Sequence, residues 1–263
     1  KALEDTWQRL MKMGGGTVIE VDIVGFFDAV DKAHLRQILA RRVRDGVVLR
    51  LIGKWLNAGV WEEGRVTYPD TGTPQGGVIS PILSNIYLHE VMDLWFEREV
   101  KPRLRGQGFM VRFADDILIG FSDEGDARRV MDVLPKRFEK YGLQLHPDKT
   151  RMLDFRKPGS DHEPPSSGGP PGPATFDLLG FTHYWGKSLR GNWVVKRKTA
   201  KDRFTRAVRR IAQWCRANRH LPVVEQWRML CRKLQGHNGY YGITGNSTAL
   251  VRFRETVQRR WKF

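Results

Sequence analysis

The sequence predicts an α/β fold: a body around a small, mostly antiparallel sheet, followed by a C-terminal three-helix bundle. Three observations carry the prediction. Short apolar stretches of period two alternate with stretches of helical period through residues 1–186. The end of the chain then repeats apolar residues only at helical spacing. Charge divides at the same place. Residues 187–263 hold 20 Lys/Arg against Asp202, Glu225 and Glu255, whereas residues 1–186 hold 25 against 26 acids. A near-neutral domain over 1–186 and a basic helical domain over 187–263 are therefore expected, one for chemistry and one for a polyanion.

Each element follows in order. Residues 1–13 read as a helix stopped by Gly14-Gly15-Gly16, and 17–23 as a strand with Asp22 near its end. Helices are expected from Val30 to about Arg44, with Leu35, Ile38 and Leu39 inward, and over 46–57. A short hairpin or extended arm over 60–71 leads into Gly72-Thr73-Pro74-Gln75-Gly76-Gly77. The longest helix spans Ile79 to about Val100, opened by Ser80-Pro81 and striped by Ile82, Ile86, Val91/Met92 and Trp95. A hairpin then flanks Phe113-Ala114-Asp115-Asp116, and a helix near 125–141 is kinked or broken at Pro135. Residues 143–145 and 151–155 read as short strands around His146-Pro147-Asp148. The Pro/Gly-rich run 157–173 reads as a surface insertion. Folding resumes at Phe176–Phe181 and in a strand around 192–195. Three helices close the chain on Phe204, Val208, Ile211 and Trp214/Cys215, on Trp227, Leu230/Cys231 and Leu234, and on Leu250, Phe253, Val257 and Trp261.

Nucleic acid suits the basic domain better than a membrane, because no segment has the apolar length of a membrane span. Cys215 and Cys231 lack zinc-site spacing and read as core residues of a reduced, intracellular protein. The chemistry-bearing feature is the carboxylate pair Asp115-Asp116 between two apolar strands. With Asp22 it forms an oxygen-only donor set suited to magnesium or manganese, and two such ions could serve nucleotidyl transfer. A solvated β-turn is the plain alternative for Asp115. Asp28 and Asp31, at the start of the next helix, read as caps.

Asp22-Ile23-Val24-Gly25-Phe26-Phe27-Asp28, then 72–81, Phe113-Ala114-Asp115-Asp116, 142–150 and Phe176–Phe181 resemble, in order, the polymerase motifs of the group II intron reverse transcriptase/maturase family. Asn218-Arg219-His220 and 236–243 resemble that family's thumb, or maturase region. The resemblance implies a right-hand polymerase palm with partial fingers and a three-helix thumb, and an RNA-directed DNA polymerase that also assists splicing. Asp22 and Asp115 would then hold two magnesium ions, with Asp116 a less direct ligand or a second carboxylate at the primer end. Phe27 would be the steric gate against a 2′-hydroxyl, and Gln75 with Gly76 would meet the incoming nucleotide or template. Lys149 would stand near the leaving pyrophosphate, or is a solvated turn residue. Leu179-Gly180 would form the primer grip.

The resemblance also implies an RNA template, a DNA primer, deoxynucleoside triphosphates and group II intron RNA as partners, in a bacterial-type cytoplasm. Lys196, Arg197, Arg203, Arg206, Arg209, Arg210, Arg232 and Lys233 would follow a nucleic-acid backbone. Tyr240, in a polar–aromatic run with His237, Asn238 and Tyr241 between helices, either contacts RNA or packs. Family members carry an N-terminal extension and most of the fingers ahead of the position of Lys1. The expectation is a fragment whose fingers come from upstream sequence or another chain. Two other readings stand: a non-enzymatic intron RNA-binding or splicing factor, and a defence- or CRISPR-linked reverse transcriptase.

Overall fold

The computed structural model describes residues 1–58, 60–62, 65–67, 72, 79–159 and 174–262. The chain forms two compact units, Lys1–Gly168 and Gly169–Phe263. They divide inside the Pro/Gly-rich run rather than at 186/187. The strands after that run belong with the helical end of the chain, because they hydrogen-bond to it.

The first unit opens with helix α1 (Ala2–Met13), which buries Leu10 and ends where Gly14 turns left-handed. Strand β1 (Thr17–Val21) lies in a four-stranded antiparallel sheet of order β4-β5-β1-β6 with β4 (Gly108–Phe113), β5 (Asp116–Phe121) and β6 (Arg151–Asp154). One face, Ile19, Val21, Ile23, Ile117, Ile119 and Phe121, enters the main core. A short helix α2 (Phe26–Ala29) precedes α3 (Lys32–Ala40). The expected helix from Val30 to Arg44 is thus shorter: Asp31 caps α3 by accepting from His34 N–H at 2.7 Å. Asp28 lies in the first turn of α2, whose cap position belongs to Gly25. Helix α4 (Gly46–Leu56) and the hairpin β2 (Val60–Glu62) with β3 (Arg65–Thr67) match expectation.

The long helical segment departs from regularity. Helix α5 (Ser80–Leu88) runs on into π-helical turns at His89–Asp93 and Phe96–Val100. Ser80 is its first helical residue and makes no cap, because Ile79 holds that position. The wider turns rotate the buried stripe onto Leu83, Tyr87, Leu88, Val91, Met92 and Trp95, and leave Ile82 61% exposed. Helix α6 (Glu124–Glu139) runs unbroken through Pro135. An interior proline costs about 3 kcal/mol. Burial of Val130, Leu134 and Phe138, at about 1.5–3 kcal/mol each, outweighs it. Residues 143–145 form no strand. They run alongside the end of β1, with a single bridge between Ile23 and Leu145.

The second unit holds a three-stranded antiparallel sheet, β7 (Phe176–Leu178), β8 (Phe181–Lys187) and β9 (Trp193–Thr199), and helices α7 (Lys201–Ala217), α8 (Val223–Tyr241) and α9 (Ser247–Trp261). Ile211, Leu230, Phe253 and Val257 form the bundle core, with Phe204, Val208, Trp214, Cys215, Leu234 and Trp261 packed against it. Trp227, expected inside, is 55% exposed. Gln226 takes the buried position beside it, accepting from Trp261 Nε1 at 3.0 Å and donating to Leu221 O at 2.7 Å. The run from His237 to Tyr241 is the last turn of α8 rather than a link between helices.

Candidate functional site

Asp22 is the first residue beyond β1, and its main chain is held from two sides. The antiparallel register, closing on Val21 opposite Ile117, brings Asp22 level with Asp116 at the start of β5. On the other side, Asp22 O accepts from His146 N–H at 2.8 Å and from Thr150 Oγ1 at 3.2 Å, and Asp22 N–H donates to Thr150 Oγ1 at 3.3 Å. The turn from His146 to Thr150 therefore clamps Asp22 and delivers Lys149, whose Nζ lies 3.3 Å from Asp22 Oδ2. Sequence reasoning missed Thr150. Its hydroxyl gains that place only because two segments 128 residues apart meet.

The hairpin tip is strained. Phe113 pairs with Asp116, leaving Ala114 and Asp115 as a two-residue loop in which Ala114 has φ 55. Such loops favour glycine at the positive-φ position, and an L-residue there costs about 1–2 kcal/mol. The turn pushes the exposed Asp115 carboxylate outward at its apex. Arg112 Nη1 donates to Ala114 O at 3.0 Å across that turn.

Among the described residues, no group of three His, Cys, Asp or Glu is gathered closely enough to hold a metal ion on its own. The donor set nonetheless suits a hard divalent cation, since Asp22, Asp115 and Asp116, at the ends of β1 and β5 and in the hairpin loop, offer only carboxylate oxygens. The Lys149 ammonium already sets a positive charge against Asp22.

Phe26 is core, whereas Phe27 is half-buried, its ring 5.4 Å from that of Phe26. Gly72 lies against the same backbone. Its N–H donates to Val30 O at 2.8 Å, and a Cβ there would stand 2.9 Å from Phe27 O and 2.8 Å from Asp28 Cα. Only glycine allows that approach, and Gly72 also has φ 86. The start of the glycine-containing stretch is thereby tied to the Phe27 segment. Gln75 and Gly76 themselves lie outside the described residues.

In the second unit, Leu179 (φ 52) and Gly180 (φ 77) form the loop between β7 and β8, both left-handed as a type I′ turn requires. Tyr240 Oη donates to Leu179 O at 2.9 Å, and its ring stacks 6.0 Å from Phe181. Tyr241 packs 5.3 Å from the same ring. Of the two expectations for Tyr240, nucleic-acid contact or packing, its hydroxyl is engaged with the turn while 55% of the residue stays exposed. Behind the turn, Ala200 N–H donates to Gly180 O at 2.9 Å. The buried Asn246 joins three elements, accepting from Thr199 N–H and donating to Thr199 Oγ1 and Tyr241 O, each at 2.9 Å.

Arg203, Arg206, Arg209 and Arg210 lie on α7, with Asp202 3.6 Å from both Arg203 and Arg206. Arg232 and Lys233 are exposed on α8, Lys233 lying 5.4 Å over the Trp214 ring. Lys196 and Arg197 are half-buried on β9. On the neighbouring strand β8, His183 is fully buried and stacks 4.6 Å from Phe176. Burial and the nearby Arg197 push its pKa down to about 4.

Residues 6–183 match the family model described as reverse transcriptase (RNA-dependent DNA polymerase). The group II intron-encoded protein LtrA of Lactococcus lactis subsp. cremoris is 37% identical over 97 residues, 35% of this chain and 16% of that protein. An uncharacterized 91 kDa protein in the cob intron of Schizosaccharomyces pombe is 45% identical over 73 residues, 28% of this chain and 9% of that protein. The matched stretches are thus a small part of these relatives' lengths. In fold, the chain is similar to telomerase from Candida albicans, solved in complex with a fragment of telomeric RNA. The TM-score is 0.51 at 15% identity, over 99% of this chain and 43% of the other.

Proposed function

The chain belongs to the reverse transcriptase (RNA-dependent DNA polymerase) family, and from that premise we propose that it forms the catalytic part of a group II intron-type RNA-directed DNA polymerase. The observation that supports the reading is that Asp22 and Asp116 each lie one residue beyond the last β1–β5 pair, with Asp22 held there by His146 and Thr150. The reaction is attack of a primer 3′-hydroxyl on the α-phosphate of a deoxynucleotide, with release of pyrophosphate. Asp22, Asp115 and Asp116 would hold magnesium, or manganese in its place; bound there, such ions supply charge that favours both the attacking hydroxyl and the leaving phosphate.

The chain's own residues do the positioning. Phe27 presents an aromatic ring where a sugar would lie, and a ring offers a 2′-hydroxyl neither space nor a partner. Lys149 carries a positive charge at the same end of the sheet, suited to a leaving pyrophosphate. The Leu179-Gly180 turn is the proposed primer grip, and orientation of a primer end is a large share of any transfer rate. Gln75 and Gly76 complete the nucleotide pocket in this reading.

Primer extension on an RNA template tests it. Extension should require Mg²⁺ and fall to background in Asp115→Ala; extension that survives that change sinks the assignment. The basic residues of α7 would follow the RNA or hybrid backbone, and group II intron RNA is the proposed cognate partner for splicing. Replacing Arg206, Arg209 and Arg210 with Gln should reduce the slope of log affinity against log salt by about three. An unchanged slope would place the nucleic acid elsewhere.

A further inference from the structure

Arg112 sits immediately before the hairpin tip and is only 12% exposed at its side chain. Among the described residues its guanidinium makes four hydrogen bonds. Nε and Nη2 form a two-pronged pair with Asp93, at 2.7 Å to Oδ1 and 2.6 Å to Oδ2. Nη1 donates to Asn85 Oδ1 at 2.8 Å and to Ala114 O at 3.0 Å. Each partner is itself oriented. Asn85 donates its amide to Pro81 O at 2.9 Å, which turns its oxygen toward Arg112. Asp93 Oδ2 lies 3.1 Å from His89 Nδ1. Burial works to raise the Asp93 pKa, but the Arg112 guanidinium outweighs it and holds the carboxyl below its ordinary range.

We propose that Arg112 is the positioning residue that pins the Ala114–Asp115 peptide to the long helical segment and thereby sets the direction of the Asp115 carboxylate. Ala114 needs such a restraint, because its φ of 55 is a conformation that an L-residue leaves readily. Its carbonyl belongs to the peptide that leads directly into Asp115, so a rotation there swings the carboxylate away. The planar fork of arginine reaches Asp93, Asn85 and Ala114 together, whereas a lysine ammonium reaches only part of the set. Asn85 and Asp93 follow the 72–81 stretch on the same helical segment, so the pin couples that segment to the catalytic hairpin. The inference deepens the polymerase reading and takes its functional meaning from it.

The test uses the full chain with Arg112→Lys and Asp93→Asn, compared by amide hydrogen exchange and by single-turnover extension. Both variants should speed exchange at residues 113–116 about tenfold, a shift of about 1.4 kcal/mol, while the rest of the sheet stays as in the parent. Extension should slow by about 10- to 100-fold with primer–template affinity within about twofold of the parent. Unchanged exchange at the tip in both variants overturns the proposal. So does an even rise across the sheet, which would make Arg112 a residue of the fold alone. A parent protein that extends no primer defeats the polymerase reading, and the exchange result still decides whether Arg112 holds the tip.

Discussion

Replacing Tyr240 with Phe isolates one hydrogen bond in the proposed primer grip. The turn it holds is costly, since Leu179 occupies φ 52 at about 1–2 kcal/mol. The bond to Leu179 O spans 2.9 Å at a position that is 55% exposed, so its worth lies at the lower end of the usual range, about 0.5–1 kcal/mol. Loss of that much lowers the equilibrium constant for forming the native turn about two- to fivefold. Tyr240→Phe keeps the ring that stacks on Phe181, so packing changes little. The assay is single-nucleotide extension with primer–template affinity measured separately. The rate should fall about two- to fivefold at unchanged affinity. Adding Leu179→Gly should restore it, because glycine adopts positive φ without penalty. If Tyr240→Phe is silent while Tyr240→Ala weakens primer–template binding, the ring touches nucleic acid directly and the positioning argument fails. A slow Tyr240→Phe enzyme that Leu179→Gly does not rescue would refute it equally.

Two further outcomes follow from buried polar groups in the same unit. Asn246→Ala removes three hydrogen bonds at once and strands the buried Thr199 N–H. The expected loss in urea unfolding is roughly 3–5 kcal/mol, and a loss under about 1 kcal/mol would show that neighbours or water take over those bonds. His183 is neutral in the fold with its pKa pushed down to about 4, against about 6.5 when unfolded. Its folded value is the lower one, so its stability contribution is intact above about pH 6.5 and declines as pH falls toward 4, by up to roughly 3 kcal/mol. His183→Phe should flatten that part of the stability–pH curve; an unchanged acid limb would mean that other groups dominate it.

The elements with strong periodicity are readable because their signals are local. Gly14 ends α1, alternating residues make β1, β4 and β5, and the α7 stripe separates Ile211 from the arginines. The long helical segment is legible only in part. Ile82 fits a regular stripe, yet two π-turns shift the phase, and no residue type announces a π-turn. Residues 143–145 read as a strand because they are apolar and alternate, but their partner at the end of β1 offers a single bridge. Spacing alone puts Trp227 inside, whereas Gln226 can be buried because Trp261 and Leu221 satisfy its amide.

The sequence by itself determined which carboxylates to consider. Asp115 and Asp116 are adjacent between two apolar segments, and Asp22 follows another, so they stood out as candidates by residue type and local pattern. It also determined that the helical end of the chain is strongly basic, with three acids against twenty cations over residues 187–263. Only the tertiary structure decided what holds these groups in place. Thr150 clamps Asp22 from 128 residues away, Tyr240 reaches Leu179 across 61, Asn246 reaches Thr199 across 47, and Arg112 joins Asp93 across 19. A side chain's reactivity is a property of the residue. Its orientation is set by partners that packing brings together, and a linear sequence carries no local trace of them.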